Sequence, residues 1–284
     1  MIDILVGRRG TFAKLRDYKL HAMLRGLERA GMAWRVIDRP ELAKGGVAAF
    51  MHVDLTDVPD DFQAAAQRYD RCVNGNAVSI RRTLYSRARV SARDGYIGPL
   101  ISKSVLNSGG VPEWRYEKRR SFLARARQLA GKIVIPGYKQ KKCPEHVVYK
   151  SIRDVPSRIW NDPSMIVERF LPGSTRLPII KHRFNFFYEV EMNYRASYDS
   201  VLCDPETMTG LKVIPDVPAT IRNLRADLRL DYGAIDYFVV EDEAIPIDAN
   251  KTVTEAASWV ANVPSIARHM DELTDRLVEF VRDG

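Results

Sequence analysis

Residues 232–254, YGAIDYFVVEDEAIPIDANKTVT, constrain the fold of this chain more than any other stretch. Two mostly apolar runs that are rich in β-forming residues, 234–240 and 244–249, are separated by three consecutive acidic residues. This pattern predicts a β-hairpin with a three-residue loop, in which Val240 lies opposite Ala244.

The predicted register places Asp236 directly opposite Asp248, and the alternation of side chains along a strand places Asn250 on the face of Asp248. Two carboxylates that face each other repel by roughly 0.2 to 1 kcal/mol, so a positive group between them would stabilise the hairpin. Mg²⁺ prefers carboxylate and amide oxygens and keeps coordination positions for water or phosphate, which favours Mg²⁺ over Zn²⁺ at these three residues. Solvated acids are the alternative, because a loop one residue longer or shorter would shift the register.

The composition limits the class of protein but does not choose its partner. The chain has 284 residues, enough for one large domain or two to three smaller ones, and its net charge of +8 favours an anionic partner. No apolar run reaches the roughly 20 residues that span a bilayer, and the N-terminus lacks a signal-peptide pattern. Three cysteines without a pattern indicate a reducing compartment. We therefore expect a cytoplasmic protein without a membrane partner, for which a homodimer is compatible with the sequence.

The first 75 residues alternate strand and helix signals, which predicts a small parallel α/β sheet. Residues 2–6 form a buried-strand run, and strand signals recur at 33–37 and 47–55. Between the first two runs, an apolar stripe with helical spacing comprises Leu20, Met23, Leu24 and Leu27.

A lysine and a glycine pair in the middle of the chain suit phosphate binding. Lys103 lies on a predicted strand, and Gly109 and Gly110 follow it in the loop of ISKSVLNSGGVPE. The backbone N–H groups of such a loop can close over phosphate oxygens. The lysine precedes the glycines, so this is not a Walker A loop, and an ordinary turn is the alternative.

A second strand in the middle region, within MIVERFLPG, carries a charged residue among apolar neighbours. Glu168 precedes a turn, and a strand that leaves a subdomain in this way can place backbone groups beside the edge of an adenine ring. An exposed residue on an edge strand is the alternative.

Residues 183–195, RFNFFYEVEMNYR, alternate aromatic and polar side chains, which predicts one long strand with an apolar and a polar face. Arg183 and Arg195 both fall on the polar face of that strand, where they can reach an anionic ligand. Surface ion pairs with Glu189 and Glu191 are an equally good interpretation.

Residues 113–132 carry seven basic side chains and two acidic ones. Nucleic-acid binding is the less favoured interpretation, and a solvated helix or a flap over phosphates is favoured.

The order of these motifs resembles the ATP-grasp superfamily, of the glutathione synthetase and carboxylate-amine ligase type, over essentially the whole chain. The stretch GAIDYFVVEDEAIPIDANKT carries the most specific part of the resemblance. The resemblance implies an α/β (α+β) fold in which a small N-terminal parallel α/β domain, 1–75, precedes two α+β subdomains that clamp the nucleotide. These are a central ATP-binding subdomain, 76–172, and a C-terminal subdomain with the metal-binding hairpin, 173–284.

The resemblance also implies roles for individual residues. Asp236, Asp248 and Asn250 resemble the family's Mg²⁺ ligands, and Lys103 with Gly109 and Gly110 resembles its phosphate-binding lysine and covering loop. The adenine-binding segment is represented by Glu168, Arg169, Phe170 and Leu171. Arg183 and Arg195 resemble catalytic arginines that face phosphate or substrate. Arg81 or Arg82 lies nearest to the place of a second phosphate-binding lysine.

The resemblance implies an ATP- and Mg²⁺-dependent ligase that activates a carboxylate as an acylphosphate for attack by an amine or thiol. A kinase of a small molecule with the same ATP site is one alternative. A non-catalytic module that binds nucleotide or nucleic acid is another.

Overall fold

A computed structural model describes residues 1–7, 18–120, 146–172, 177–201, 203, 205–254 and 263–283. Two compact units are present. The first comprises residues 1–80 and 176–284, and the second comprises residues 81–175. The three-part division proposed from the sequence remains a prediction.

The first unit begins with the parallel sheet that the alternating strand and helix signals predict. Its four strands are ordered β2-β1-β3-β4, and every neighbouring pair is parallel. The elements are β1 (Ile2–Val6), α1 (Lys19–Arg29), β2 (Trp34–Ile37), β3 (Gly46–His52), α2 (Asp60–Ala66) and β4 (Tyr69–Val73).

The apolar stripe of α1 is buried, as its spacing predicts. Leu20, Met23, Leu24 and Leu27 join one core with residues of the C-terminal helix α6 (Pro264–Arg282), among them Met270 and Leu273. Three other helices precede α6 in the chain: α3 (Val111–Arg120), α4 (Ser157–Trp160) and α5 (Ala219–Asp227). The core thus ties the N-terminal parallel sheet to the C-terminal end of the chain.

Gly26 allows α1 to approach α6 closely. A Cβ atom at this position would overlap Cγ2 of Thr274 on α6. Gly26→Ala should therefore lower the free energy of unfolding by about 1 to 3 kcal/mol, despite the higher helix propensity of alanine. Urea denaturation measures this loss, and Thr274→Ser should recover most of it because it removes the obstructing methyl group. Gly210→Ala is the control, since a Cβ there meets nothing within 4 Å; equal effects at both glycines would contradict the prediction.

The first unit also holds a five-stranded antiparallel sheet with the strand order β10-β9-β8-β11-β12. Its strands are β8 (Ile179–Phe187), β9 (Val190–Tyr198), β10 (Met208–Ile214), β11 (Tyr232–Val240) and β12 (Glu243–Asn250). Helix α5 precedes β11 and buries Ile221 and Leu224.

The prediction of one long strand over residues 183–195 is wrong. This segment is a tight hairpin in which Phe187 of β8 pairs with Val190 of β9. Tyr188 takes the turn with φ +49°, a conformation that costs a non-glycine residue roughly 1 to 2 kcal/mol. Its ring stacks on Phe280 with a centroid distance of 5.9 Å and lies under the guanidinium of Arg276, contacts that offset this cost.

The hairpin of β11 and β12 confirms that Asp236 lies opposite Asp248, but by a different route from the predicted one. The loop has two residues, Glu241 and Asp242, with φ of +49° and +65°, so Val240 pairs with Glu243 instead of Ala244. Positive φ at both positions is characteristic of a type I′ turn. A β-bulge between Asp236 and Tyr237 then shifts the register by one residue and restores the predicted pairing.

The second unit contains an antiparallel sheet with the strand order β6-β5-β7. Its strands are β5 (Leu100–Ser104), β6 (Val147–Tyr149) and β7 (Met165–Arg169). Helix α3 contains the first residues of the basic segment 113–132, and residues 121–132 lie outside the described residues. No helix in the described part of the chain is long and apolar enough to span a bilayer.

Candidate functional site

Candidate residues of the first unit lie on three neighbouring strands of the antiparallel sheet. Arg183 of β8 pairs with Asp236 of β11, which in turn pairs with Asp248 of β12. Residues that pair directly across strands share a face of the sheet. Asn250 lies on this face too, since its Nδ2 donates a hydrogen bond to Oδ2 of Asp248 at 2.8 Å. We call this surface the acidic face.

The positive charge that the sequence predicts beside the facing carboxylates is partly supplied by the chain itself. Asp236 is 7% exposed, and Nη1 of Arg183 donates to its Oδ1 at 3.2 Å and to its Oδ2 at 3.4 Å. Nζ of Lys181 lies 3.5 Å from the same Oδ2. Asp236 is therefore held by two cationic side chains from the neighbouring strand.

Lys181 is a member of the acidic face that the sequence analysis missed. Burial is the largest single effect on the pKa of Lys181 and lowers it, but the charges of Asp236, Tyr198 and Cys203 together outweigh burial, so the pKa is raised above its ordinary value. Its Nζ also lies 5.1 Å from the centroid of the Tyr198 ring. The position of Lys181, two residues before Arg183 on one strand, is the signal that could have identified it.

Two further polar residues extend the network beneath the acidic face. Asn185 accepts at Oδ1 from Nε of Arg183 at 3.4 Å and from Nζ of Lys19 at 3.1 Å. Lys19 and Asn185 are each 2% exposed. The alternation along residues 183–195 places Asn185 on the same face as Arg183, but no sequence pattern joins it to Lys19, which lies on α1, far from β8 in the chain. These contacts fix the guanidinium of Arg183 at both ends.

The donor set of the acidic face suits a hard divalent cation. It comprises the carboxylates of Asp236 and Asp248 and the amide of Asn250, and Mg²⁺ accepts such oxygens. The described residues contain no group of three or more His, Cys, Asp or Glu side chains that could hold a metal ion.

Arg195 does not accompany Arg183. It pairs with His182, whereas Arg183 pairs with Tyr194, so the two arginines lie on opposite faces of the sheet. The prediction of a shared face is wrong because the hairpin turn between them reverses the alternation. Arg195 is exposed. Burial, assisted by the charge of Arg195, lowers the pKa of His182.

The two glutamates weighed as partners for these arginines bind other residues. Glu191 receives hydrogen bonds from Arg222 at 2.6 Å and from Arg225 at 2.8 Å. Glu189 lies 2.6 Å from Nε of Arg276. Arg183 contacts the carboxylate of Asp236 instead of these glutamates.

In the second unit, an ion pair joins two of the predicted nucleotide-binding residues. Nζ of Lys103 on β5 lies 2.9 Å from Oε2 of Glu168 on β7. Glu168 pairs with Ile101, which lies two residues before Lys103 on β5. Because side chains alternate along a strand, Lys103 and Glu168 lie on the same face of the sheet. The side chains of Lys103 and Glu168 are 12% and 3% exposed, so the interpretation of Glu168 as an exposed edge residue is wrong.

The glycine pair forms a tight turn directly before α3. Gly109 and Gly110 have φ of +65° and +77°, a region that glycine occupies without strain. Nη1 of the buried Arg82 donates to the carbonyl oxygens of Ser104 at 2.9 Å and Leu106 at 2.7 Å. The side chain of Arg82 therefore holds the start of this loop by binding two of the loop's backbone carbonyl oxygens.

The segment from Glu168 to Leu171 is fixed by backbone hydrogen bonds within the second unit. The N–H of Arg169 donates to the carbonyl of Ala88 at 2.8 Å, and the N–H of Phe170 donates to that of Pro99 at 2.9 Å. Phe170 is buried and Leu171 is half-buried. The fold therefore already uses two of the backbone donors in the predicted adenine-binding segment.

No protein-family model and no curated protein sequence matches this chain. Among solved structures, the ATP-grasp ligase PsnB, complexed with a phosphomimetic variant of its minimal precursor, Mg and ADP, matches with a TM-score of 0.54 and 10% identity over 96% of this chain and 98% of that chain. A RimK domain ATP-grasp protein from Sphaerobacter thermophilus matches with a TM-score of 0.46 and 11% identity over 96% and 99% of the two chains. The macrocyclase MdnC from Microcystis aeruginosa, bound with precursor peptide MdnA, matches with a TM-score of 0.43 and 15% identity over 98% and 99%.

The similarity to PsnB extends over nearly the full length of both chains and agrees with the parallel and antiparallel sheets described above. The sequence motifs indicated the same fold independently. The chain has the ATP-grasp fold.

Proposed function

We propose that this protein is an ATP- and Mg²⁺-dependent ligase that activates a carboxylate as an acylphosphate for attack by an amine or a thiol. The observation that carries the proposal is the direct pairing of Asp236 with Asp248, with Asn250 bound to Asp248. The ATP-grasp fold supports it, because a structural neighbour with that fold is a ligase that contains Mg and ADP.

Asp236, Asp248 and Asn250 would hold Mg²⁺ on the acidic face. When bound, Mg²⁺ neutralises charge on phosphate oxygens and polarises the transferred phosphoryl group. Arg183 would bind a phosphate oxygen from the same face, since its guanidinium is already oriented by Asp236 and Asn185. A fixed guanidinium loses little entropy when it binds an oxyanion. A catalytic role for Arg195 remains a prediction. Arg195 lies on the face of the sheet opposite to the acidic face, and this position does not support the role.

Candidate nucleotide-binding residues also lie in the second unit. Lys103 would contact phosphate oxygens, and the backbone N–H groups of Gly109 and Gly110 would cover them. The segment Glu168, Arg169, Phe170 and Leu171 would bind the adenine edge. Its rigid attachment to Ala88 and Pro99 supports this role, because an ordered backbone presents its remaining polar groups in a defined direction.

The proposed reaction has two steps. A carboxylate oxygen of the substrate attacks the γ-phosphorus of ATP, the bond to the bridging oxygen breaks, and ADP leaves. The amine or thiol then attacks the acyl carbon, loses its proton and releases inorganic phosphate. Phosphoryl transfer depends on positioning and charge neutralisation, which lysine, arginine and a metal site supply.

Mg-ATP should raise the melting temperature of this protein. A ligand that binds only the native state at 100 times its Kd stabilises it by about 2.7 kcal/mol. Differential scanning fluorimetry with millimolar Mg-ATP measures the shift, and ATP with EDTA should give a smaller one because the acidic face then lacks its cation. An unchanged melting temperature at millimolar Mg-ATP would overturn the proposed function.

A further inference from the structure

The two cations on Asp236 stand where the sequence predicts a dication. Lys181 and Arg183 supply two positive charges to an acidic face whose facing carboxylates, Asp236 and Asp248, carry two negative ones. These four side chains carry no net charge, and Lys19, which binds Asn185 beneath them, adds one positive charge. A bound Mg²⁺ would add two positive charges there, an excess that suits the oxygens of a triphosphate.

We propose that Lys181 is a further substrate-binding residue: it neutralises Asp236 in the ligand-free protein and transfers its ammonium group to a phosphate oxygen when Mg-ATP binds. This inference rests on the proposed function and adds a residue and an order of events to it. Lys181 competes with Mg²⁺ for Asp236 and then contributes to the binding of the anion.

The contacts of the two cations identify Lys181 as the one that moves. Arg183 makes two hydrogen bonds to Asp236 and one to Asn185. Lys181 makes one longer contact, of 3.5 Å, to Asp236. A lysine ammonium on its flexible four-carbon stem exchanges partners more readily than a guanidinium held in a planar fork.

Exposure does not distinguish the two cations, since the side chains of Lys181 and Arg183 are 17% and 19% exposed. Both are partly accessible to a ligand that approaches the acidic face. The number and length of their contacts therefore identify Lys181 as the residue that moves.

Isothermal titration calorimetry of Lys181→Met tests the proposal with Mg²⁺ alone and then with Mg-ATP. Removal of the competing ammonium should tighten Mg²⁺ binding several-fold. The same substitution should weaken ATP binding at saturating Mg²⁺ by about tenfold, since a charge-assisted hydrogen bond to phosphate is lost. Opposite changes in the two affinities are the signature of an exchanging residue.

The matched control is Lys212→Met, because Lys212 pairs with Arg195 on the opposite face of the same sheet. It should leave both affinities unchanged. Lys181→Gln replaces the methionine variant if that protein does not fold.

The other outcomes contradict either this inference alone or the proposed function on which it rests. If Lys181→Met tightens Mg²⁺ binding but leaves ATP affinity unchanged, Lys181 is only a counter-ion of Asp236 and the inference is overturned. An unchanged Mg²⁺ affinity overturns it as well. If the wild-type protein binds no Mg-ATP, the proposed function itself fails.

Discussion

Asp248→Ala should abolish the Mg-ATP-dependent rise in melting temperature and lower ligase turnover by about 10²-fold or more, while the ligand-free protein stays folded. Asp248 is half-buried and faces Asp236 directly, so its removal deletes one proposed metal ligand and one of two facing negative charges. We expect the free energy of unfolding of the ligand-free protein to change by less than about 1 kcal/mol.

Asp236→Ala should behave differently, which makes the pair informative. Its carboxylate holds Lys181 and Arg183, so its loss leaves two largely buried cations without that partner. We expect a cost of about 3 kcal/mol in the absence of any ligand. Urea denaturation and scanning fluorimetry of both variants separate metal binding from folding.

Glu243→Ala serves as the control for both aspartates, because Glu243 lies at the exposed start of β12. It should retain the full response to Mg-ATP. A normal response in Asp248→Ala would remove this residue from the metal site.

Lys103→Met should destabilise the second unit by about 3 to 5 kcal/mol. Glu168 has a side chain that is only 3% exposed and forms an ion pair of 2.9 Å with Lys103. Without the lysine, this carboxylate is left buried without its ion-pair partner, and removal of one partner of a buried pair costs more than removal of both. Urea denaturation followed by the fluorescence of Trp160, in a background whose other three tryptophans are replaced by phenylalanine, measures the loss.

The double substitution Lys103→Met and Glu168→Leu separates folding from binding. Replacement of a buried ion pair by apolar residues of similar size is often nearly neutral, so stability should largely return. Nucleotide binding should not return, because the proposed phosphate contact is still absent. Lys150→Met is the control, since Lys150 is exposed in the same unit. Recovery of ATP affinity in the double variant would contradict the role of Lys103.

The facing aspartates show how a correct pairing can follow from an incorrect loop. The three acidic residues 241–243 predicted a three-residue loop, but the type I′ turn uses only Glu241 and Asp242. The bulge beside Asp236 adds the residue that the shorter loop omits. Neither feature has a clear sequence signal here, because the turn lacks glycine and asparagine.

The hairpin at Tyr188 shows why alternation alone misplaced Arg195. A two-residue turn joins two alternating segments into one apparently continuous pattern, and no glycine or proline marks the turn. Long-range packing of Tyr188 on Phe280 permits its left-handed backbone. A pattern within one segment cannot report such a contact.

Residues joined across long chain separations were the least predictable part of the site. The sequence identified Lys103 and Glu168 separately, but their ion pair depends on how β5 aligns with β7. The sequence did not identify Lys181, because its contact with Asp236 depends on the pairing of β8 with β11. The ATP-grasp fold was accessible from the order of the motifs, whereas these contacts required the strand registers.

We propose that Asp236, Asp248 and Asn250 together hold the cation of Mg-ATP. The most direct measurement is an anomalous difference map from crystals soaked with Mn²⁺ and a nonhydrolysable ATP analogue. We predict a peak within coordination distance of oxygens from all three side chains, with a phosphate oxygen of the analogue beside it. A bound analogue with its Mn²⁺ peak away from these residues would contradict the account.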